Sequence, residues 1–104
     1  MNDTQILELS AIAYLHLTNL DIDHPWDPLS NDEQSDALKN ALEIELRPLE
    51  GELSPPSHTS ALYVDQEGYC RWYHELNSND GTNIPSNVRR VIARIAADVG
   101  KHYR

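Results

Sequence analysis

The sequence predicts an α+β fold: one small domain of about three helices packed with a β-hairpin. Three observations lead there. Apolar residues recur at three- and four-residue steps in 4–20 and again near 87–102, the spacing of a single helix face. Ser30 and Glu33 stand ahead of a third apolar run, Ala37, Leu38, Ala41 and Leu42, in the pattern of a capped helix start. Between 61 and 76, two short runs rich in Tyr, Val and Trp flank Asp65-Gln66-Glu67-Gly68, which reads as two strands joined by a turn.

In 4–20 the stripe is Ile6, Leu9, Ala13, Leu17 and Leu20, and Leu7, Ile12, Tyr14 and Leu15 widen it to most of the circumference. A helix so apolar belongs at the centre of the core, or buries a second face against a partner. Asn2 or Asp3 can cap it. Residues 21–30 hold Pro25 and Pro28, which rule out regular structure and predict a loop, with Trp26 folding back onto the core. The second helix is expected from Asn31, its early Asp32 and Glu33 suiting the helix dipole. Its end is ambiguous. Leu42-Glu43-Ile44-Glu45-Leu46-Arg47 alternates with period two, as a strand does, but continuation from a strong cap favours helix through about Arg47, where Pro48 stops it.

Residues 48–60, with Gly51, Pro55, Pro56 and three serines, predict an exposed, mobile connector. In the hairpin, Cys70, Trp72 and Leu76 should share one face, and Tyr69, Arg71 and Tyr73 the other. Trp72 is expected in the core, whereas Tyr69 and Tyr73 suit either core or an exposed binding anchor. A lone hairpin is marginal, so it must lie on the helices or gain a third strand. After a loop at 77–83, Ser86 or Asn87 caps the last helix. Its stripe is Val88, Ile92, Ile95 and Val99, with Arg90, Arg94 and Lys101 opposite.

At 104 residues the chain is long enough for one core without metal or disulfide. With no Phe, five Tyr and two Trp must join the aliphatic residues in building it. A single cysteine, Cys70, cannot form an internal disulfide and fits a reducing compartment. No apolar run reaches the roughly 20 residues of a membrane span, and the first residues do not read as a leader. A cytoplasmic location is expected, in the host cytoplasm for a phage-encoded protein.

The charge is split. Residues 1–57 hold twelve acids against two bases, a net of −10, while 58–104 hold five acids against six bases. A field of one sign on part of a small domain steers partners. Asp32, Asp36 and Glu43 fall at four- and seven-residue steps on one helix face, with Glu33 beside them and Asp21, Asp23 and Asp27 just before the helix. Carboxylates in such an array can imitate the phosphates of a DNA duplex and occupy a DNA groove in another protein; the plainer alternative is an ordinary solvated face. These seven acids form the expected partner-binding set, and the partner is a protein with a basic nucleic-acid-binding surface, or a nuclease complex.

Other constellations point to little chemistry. The cations of the last helix suit phosphates, but an overall charge of −9 repels nucleic acid, so they are expected to form a solvated face, or one that pairs with acids of the second helix or of a second copy. Asp21-x-Asp23-His24 offers alternating oxygen ligands without the glycine and later glutamate of a calcium loop. Cys70 and His74 share a strand face without a third member, and Cys70 reads as a small buried hydrophobe. His16, inside an apolar helix, is expected as a hydrogen-bonded core or rim residue. Neither enzyme, metal nor cofactor is expected.

Over 12–38 the chain resembles the small repeat domains of ryanodine receptors, on an aliphatic helix, Pro25-Trp26 and Gln34-x-x-Ala37-Leu38. The hairpin and final helix do not follow that pattern, and no role is taken from it. In size and charge the chain resembles small acidic inhibitors carried by phages and mobile elements, among them anti-CRISPR and antirestriction proteins, and also bacterial immunity proteins. That likeness implies a non-enzymatic inhibitor of a host defence complex, acting by DNA mimicry. The alternatives are an immunity protein neutralising a toxin nuclease, or an oligomerising assembly subunit, a homodimer among the options, for which the apolar first helix and the opposed charges of the two halves are the motive.

Overall fold

The computed structural model describes residues 2–19, 22, 25–48 and 58–103. Three α-helices, α1 (Asp3–Thr18), α2 (Asp32–Leu42) and α3 (Ile84–Gly100), pack on a three-stranded antiparallel sheet of β1 (Glu45–Pro48), β2 (His58–Val64) and β3 (Cys70–Leu76). The strands lie in the order β1-β2-β3, and a short 3₁₀ turn, Lys101–Tyr103, follows α3. This is the expected α+β fold. The hairpin both rests on helices and gains a third strand.

The third strand corrects the expected end of the second helix. Leu42 is the last helical residue, and Glu43 leaves the helix in the left-handed region at φ 54. The alternating residues after it then pair with β2, Glu45 opposite Leu62 and Leu46 opposite Ala61. The start also shifts by one residue. Asn31, not Ser30, is the cap, its side chain accepting the Gln34 N–H at 3.0 Å. Ser30 is occupied in a turn, its N–H donating to the Asp27 carbonyl.

α3, not α1, occupies the centre. Val91, Ile92, Ala93, Ile95, Ala96 and Ala97 are all buried. Small residues make this possible. Ala93, Ala97 and Gly100 meet α1 beneath Ile6 and Leu9, and a Cβ on Gly100 would stand 1.9 Å from the Leu9 carbonyl oxygen. On its other side Ile92, Ile95 and Ala96 join Leu38, Leu42, Ile44 and Ala61. α1 keeps Leu15 and Leu17 exposed. It starts at Asn2, whose side chain and that of Gln5 cap each other's backbone N–H.

α3 begins earlier than expected, after Asn83, because Pro85 sits in its first turn, where a missing N–H costs nothing. Asn87, expected as a cap, is instead buried. It donates to the Leu76 carbonyl and to Asn77 Oδ1, which also accepts from Thr59. This polar knot ties the open end of the hairpin to α3. Trp26 folds back as expected, its ring 5.1 Å from Tyr14 and its Nε1 donating to the buried Ser10.

Candidate functional site

The acidic set centres on α2. Gln34, Ser35, Leu38 and Leu42 turn inward, leaving Asp32, Glu33 and Asp36 on the exposed side and Glu43 exposed at the C-cap. The loop before it is pinned from the same helix. Gln34 accepts the Asp27 N–H at 2.6 Å and donates to the Pro25 carbonyl at 2.9 Å. Asp27 therefore sits, half-buried, against the start of α2. Asp21 and Asp23, and with them the Asp21-x-Asp23-His24 motif, lie outside the described residues, as does 49–57 of the connector. Thr59 and Ser60 of that connector are not exposed; they are buried in β2.

One of the acids is already engaged. Asp32 takes Arg89 at 2.9 Å. Arg90 takes Asp3 at 3.0 Å, which holds the Asp3 carboxyl below the usual carboxylate range. Arg94 takes Glu75 at 2.8 Å, and Lys101 takes Asp98 at 3.3 Å. The arginines of α3, and Lys101 just after it, are thus consumed inside the molecule, one of them by α2, and present no free phosphate-binding row. Glu33, Asp36 and Glu43 make no ion pair among the described residues.

Magnitudes limit what these carboxylates can resemble. From 32 to 43 the α2 segment rises about 16 Å at 1.5 Å per residue. A duplex carries roughly ten charges in that length and one strand roughly five. Four carboxylates, one of them paired, approach the density of a single phosphate row.

The hairpin reverses one expectation. Cys70, Trp72 and Leu76 do share a face, but it is the outer one: Trp72 is 49% exposed, Leu76 70%, and Cys70 is an exposed free thiol. Tyr73 points inward, packs on the core and donates from its hydroxyl to Asp98. Burial, then Asp98, pushes its pKa well up. Tyr69 is exposed. His74 is tied to Ser60 at 2.7 Å, not to Cys70, and lies parallel to Trp72. That Ser60–His74 pair was missed because only the strand register, Ser60 opposite His74, brings it together. His16 is exposed and stacked on Tyr103 at 4.4 Å.

A cleft of about 610 Å³ lies between the hairpin tip and the end of α3, lined in part by Tyr63, Arg71, Tyr73 and Lys101. Two pairs of its charges answer one another, Arg71 with Asp65 at 2.9 Å and Lys101 with Asp98, Glu67 also lines it, and among the described residues no serine, threonine or cysteine does. Among the described residues no group of three or more His, Cys, Asp or Glu could hold a metal ion, and no helix is long and apolar enough to cross a membrane. No protein-family model matches the chain, and neither a curated protein nor a solved structure matches it.

Proposed function

We propose that the chain is a non-enzymatic binding protein whose α2 side docks on a basic, nucleic-acid-handling surface of another protein, as an inhibitor of a host defence complex of the anti-CRISPR or antirestriction type. One observation carries this reading. Glu33, Asp36 and Glu43 stand exposed without counter-ions among the described residues, while the arginines of α3 are spent on Asp32, Asp3 and Glu75, and Lys101 just after it on Asp98. Lys39 stands on the same side between Asp36 and Glu43, so that side offers a partner three unpaired carboxylates against one cation, a net negative field that speeds encounter with a basic surface and fixes orientation. The carboxylate density favours competition for a single-strand track over a whole duplex.

The test is capture from a bacterial lysate by the tagged protein at low salt, beside a Glu33→Gln/Asp36→Asn/Glu43→Gln variant. The wild type should retain a nucleic-acid-binding protein that single-stranded DNA displaces, and the variant should not. Equal retention by both, or retention that DNA leaves intact, defeats the reading. A recovered toxin nuclease would place the same face in an immunity protein.

A further inference from the structure

Near the hairpin tip the inner face of the sheet carries Tyr63 opposite Arg71, one step beyond the core pair Ala61 and Tyr73. Across from them stand Ile95 and Val99 of α3 and the turn that follows it, and the space between is the cleft of about 610 Å³. That volume lies within the roughly 300–1,000 Å³ of small-molecule sites. None of the α2 acids lines it.

One donor in the cleft is held in place and only partly used. The Glu67 and Tyr69 N–H groups both donate to Asp65 Oδ1 at 3.0 Å, which fixes that carboxylate in the turn. Its Oδ2 accepts from Arg71 Nε at 2.9 Å. The guanidinium is therefore oriented through Nε alone, and its Nη1 and Nη2 groups have no protein partner among the described residues. That edge is a planar fork which matches a carboxylate with two parallel hydrogen bonds.

The other charges select what the fork can take. Arg71 and Lys101 face Asp65, Asp98 and Glu67 in the lining, and Glu67 makes no ion pair among the described residues. Asp65, and more weakly Glu67, push the Arg71 pKa up, so Glu67 stands within the field of the guanidinium. A plain anion meets one more acid than base, and a plain cation meets the fork. A ligand that carries both signs satisfies each. Its remainder meets Ile95, Val99 and the rings of Tyr63, Tyr73 and Tyr103, a surface suited to an aromatic group. We propose that the cleft binds a free α-amino acid with an aromatic side chain, its carboxylate on Arg71, its ammonium on Glu67 and its ring among the tyrosines.

Titration of the ¹⁵N-labelled full chain with L-phenylalanine, followed by amide shifts, tests this. The shifts of Glu67, Arg71, Lys101 and Tyr103 should saturate with a dissociation constant below about 1 mM. Phenethylamine, which lacks the carboxylate, and N-acetyl-L-phenylalanine, which lacks the ammonium, should each bind about tenfold more weakly or worse. Arg71→Ala should weaken L-phenylalanine binding by a similar factor of about ten, and Glu67→Gln should weaken it too, each with the far-UV circular dichroism of the wild type. The Glu33→Gln/Asp36→Asn/Glu43→Gln variant should bind as the wild type does, which separates this site from the α2 side. The absence of saturable shifts at about 10 mM ligand overturns the proposal. Binding undiminished in Arg71→Ala, or N-acetyl-L-phenylalanine bound as tightly as L-phenylalanine, overturns it equally.

Discussion

Arg89 of α3 holds two groups beyond its own helix at once: its Nη1 meets Asp32 of α2 at 2.9 Å, and its Nε donates to the Leu29 carbonyl at 2.8 Å. The arginine is 19% exposed and the aspartate 80%. An ion pair so open to water is worth less than about 1 kcal/mol, whereas a charged donor on a shielded carbonyl is worth about 1.5–3 kcal/mol. Arg89→Ala should therefore cost about 2 kcal/mol, and Asp32→Asn less than about 1 kcal/mol. Urea unfolding of the two variants checks this; equal losses would show that the ion pair dominates.

α1 and α3 meet where there is no room for a side chain. At Gly100 a Cβ would lie 1.9 Å from a backbone oxygen, which no rotamer change relieves. Gly100→Ala should lower stability by about 3 kcal/mol, at the upper end for overpacking. Gly68 has open space around it but φ +88, so Gly68→Ala should cost only about 1 kcal/mol of backbone strain. Thermal melts of the pair distinguish contact from strain.

The Tyr73 hydroxyl supplies a pH dependence at the alkaline end. Burial and Asp98 raise its pKa above the ordinary 10.0. A raised folded pKa means that the unfolded chain loses this proton first. The stabilisation is complete below pH 10 and is lost as pH rises from there toward the folded value. Urea midpoints of the wild type should fall above pH 10, and those of Tyr73→Phe should fall less steeply.

Much of this fold was legible. Trp26 against the core, the Asp65-Gln66-Glu67-Gly68 turn and the stripe of α3 follow from apolar spacing and turn chemistry. The strand at 45–48 was present in the pattern but outweighed by the helix cap before it, because no glycine marks the end of α2 and Glu43 takes the left-handed position itself. Alternation showed which hairpin residues share a face but not which face turns inward. That choice rests on partners far along the chain: Asp98 for Tyr73 and Arg94 for Glu75. The central place of α3 was hidden for a related reason. Its Ala93, Ala97 and Gly100 carry little hydrophobicity, and what they contribute is close approach. Of the acidic set, spacing alone placed Asp32, Asp36 and Glu43 on the exposed side of α2; the engagement of Asp32 by Arg89, 57 residues away, left no trace in local sequence.

Glu43 joins stability to the proposed docking. A non-glycine residue in the left-handed region costs about 1 kcal/mol. Glu43→Gly should raise stability by about 0.5–1 kcal/mol while removing one carboxylate from the α2 side. Chemical unfolding and partner capture, run on the same variant, should move in opposite directions.

Association driven by the unpaired carboxylates of the α2 side, as proposed, must depend on salt. Its most direct test is the association rate with the captured partner across a salt series, for the wild type and for Glu33→Gln/Asp36→Asn/Glu43→Gln. A steep fall in the wild-type rate as salt rises, flattened in the variant, is the predicted result. A wild-type rate and affinity unchanged from low to high salt would contradict it.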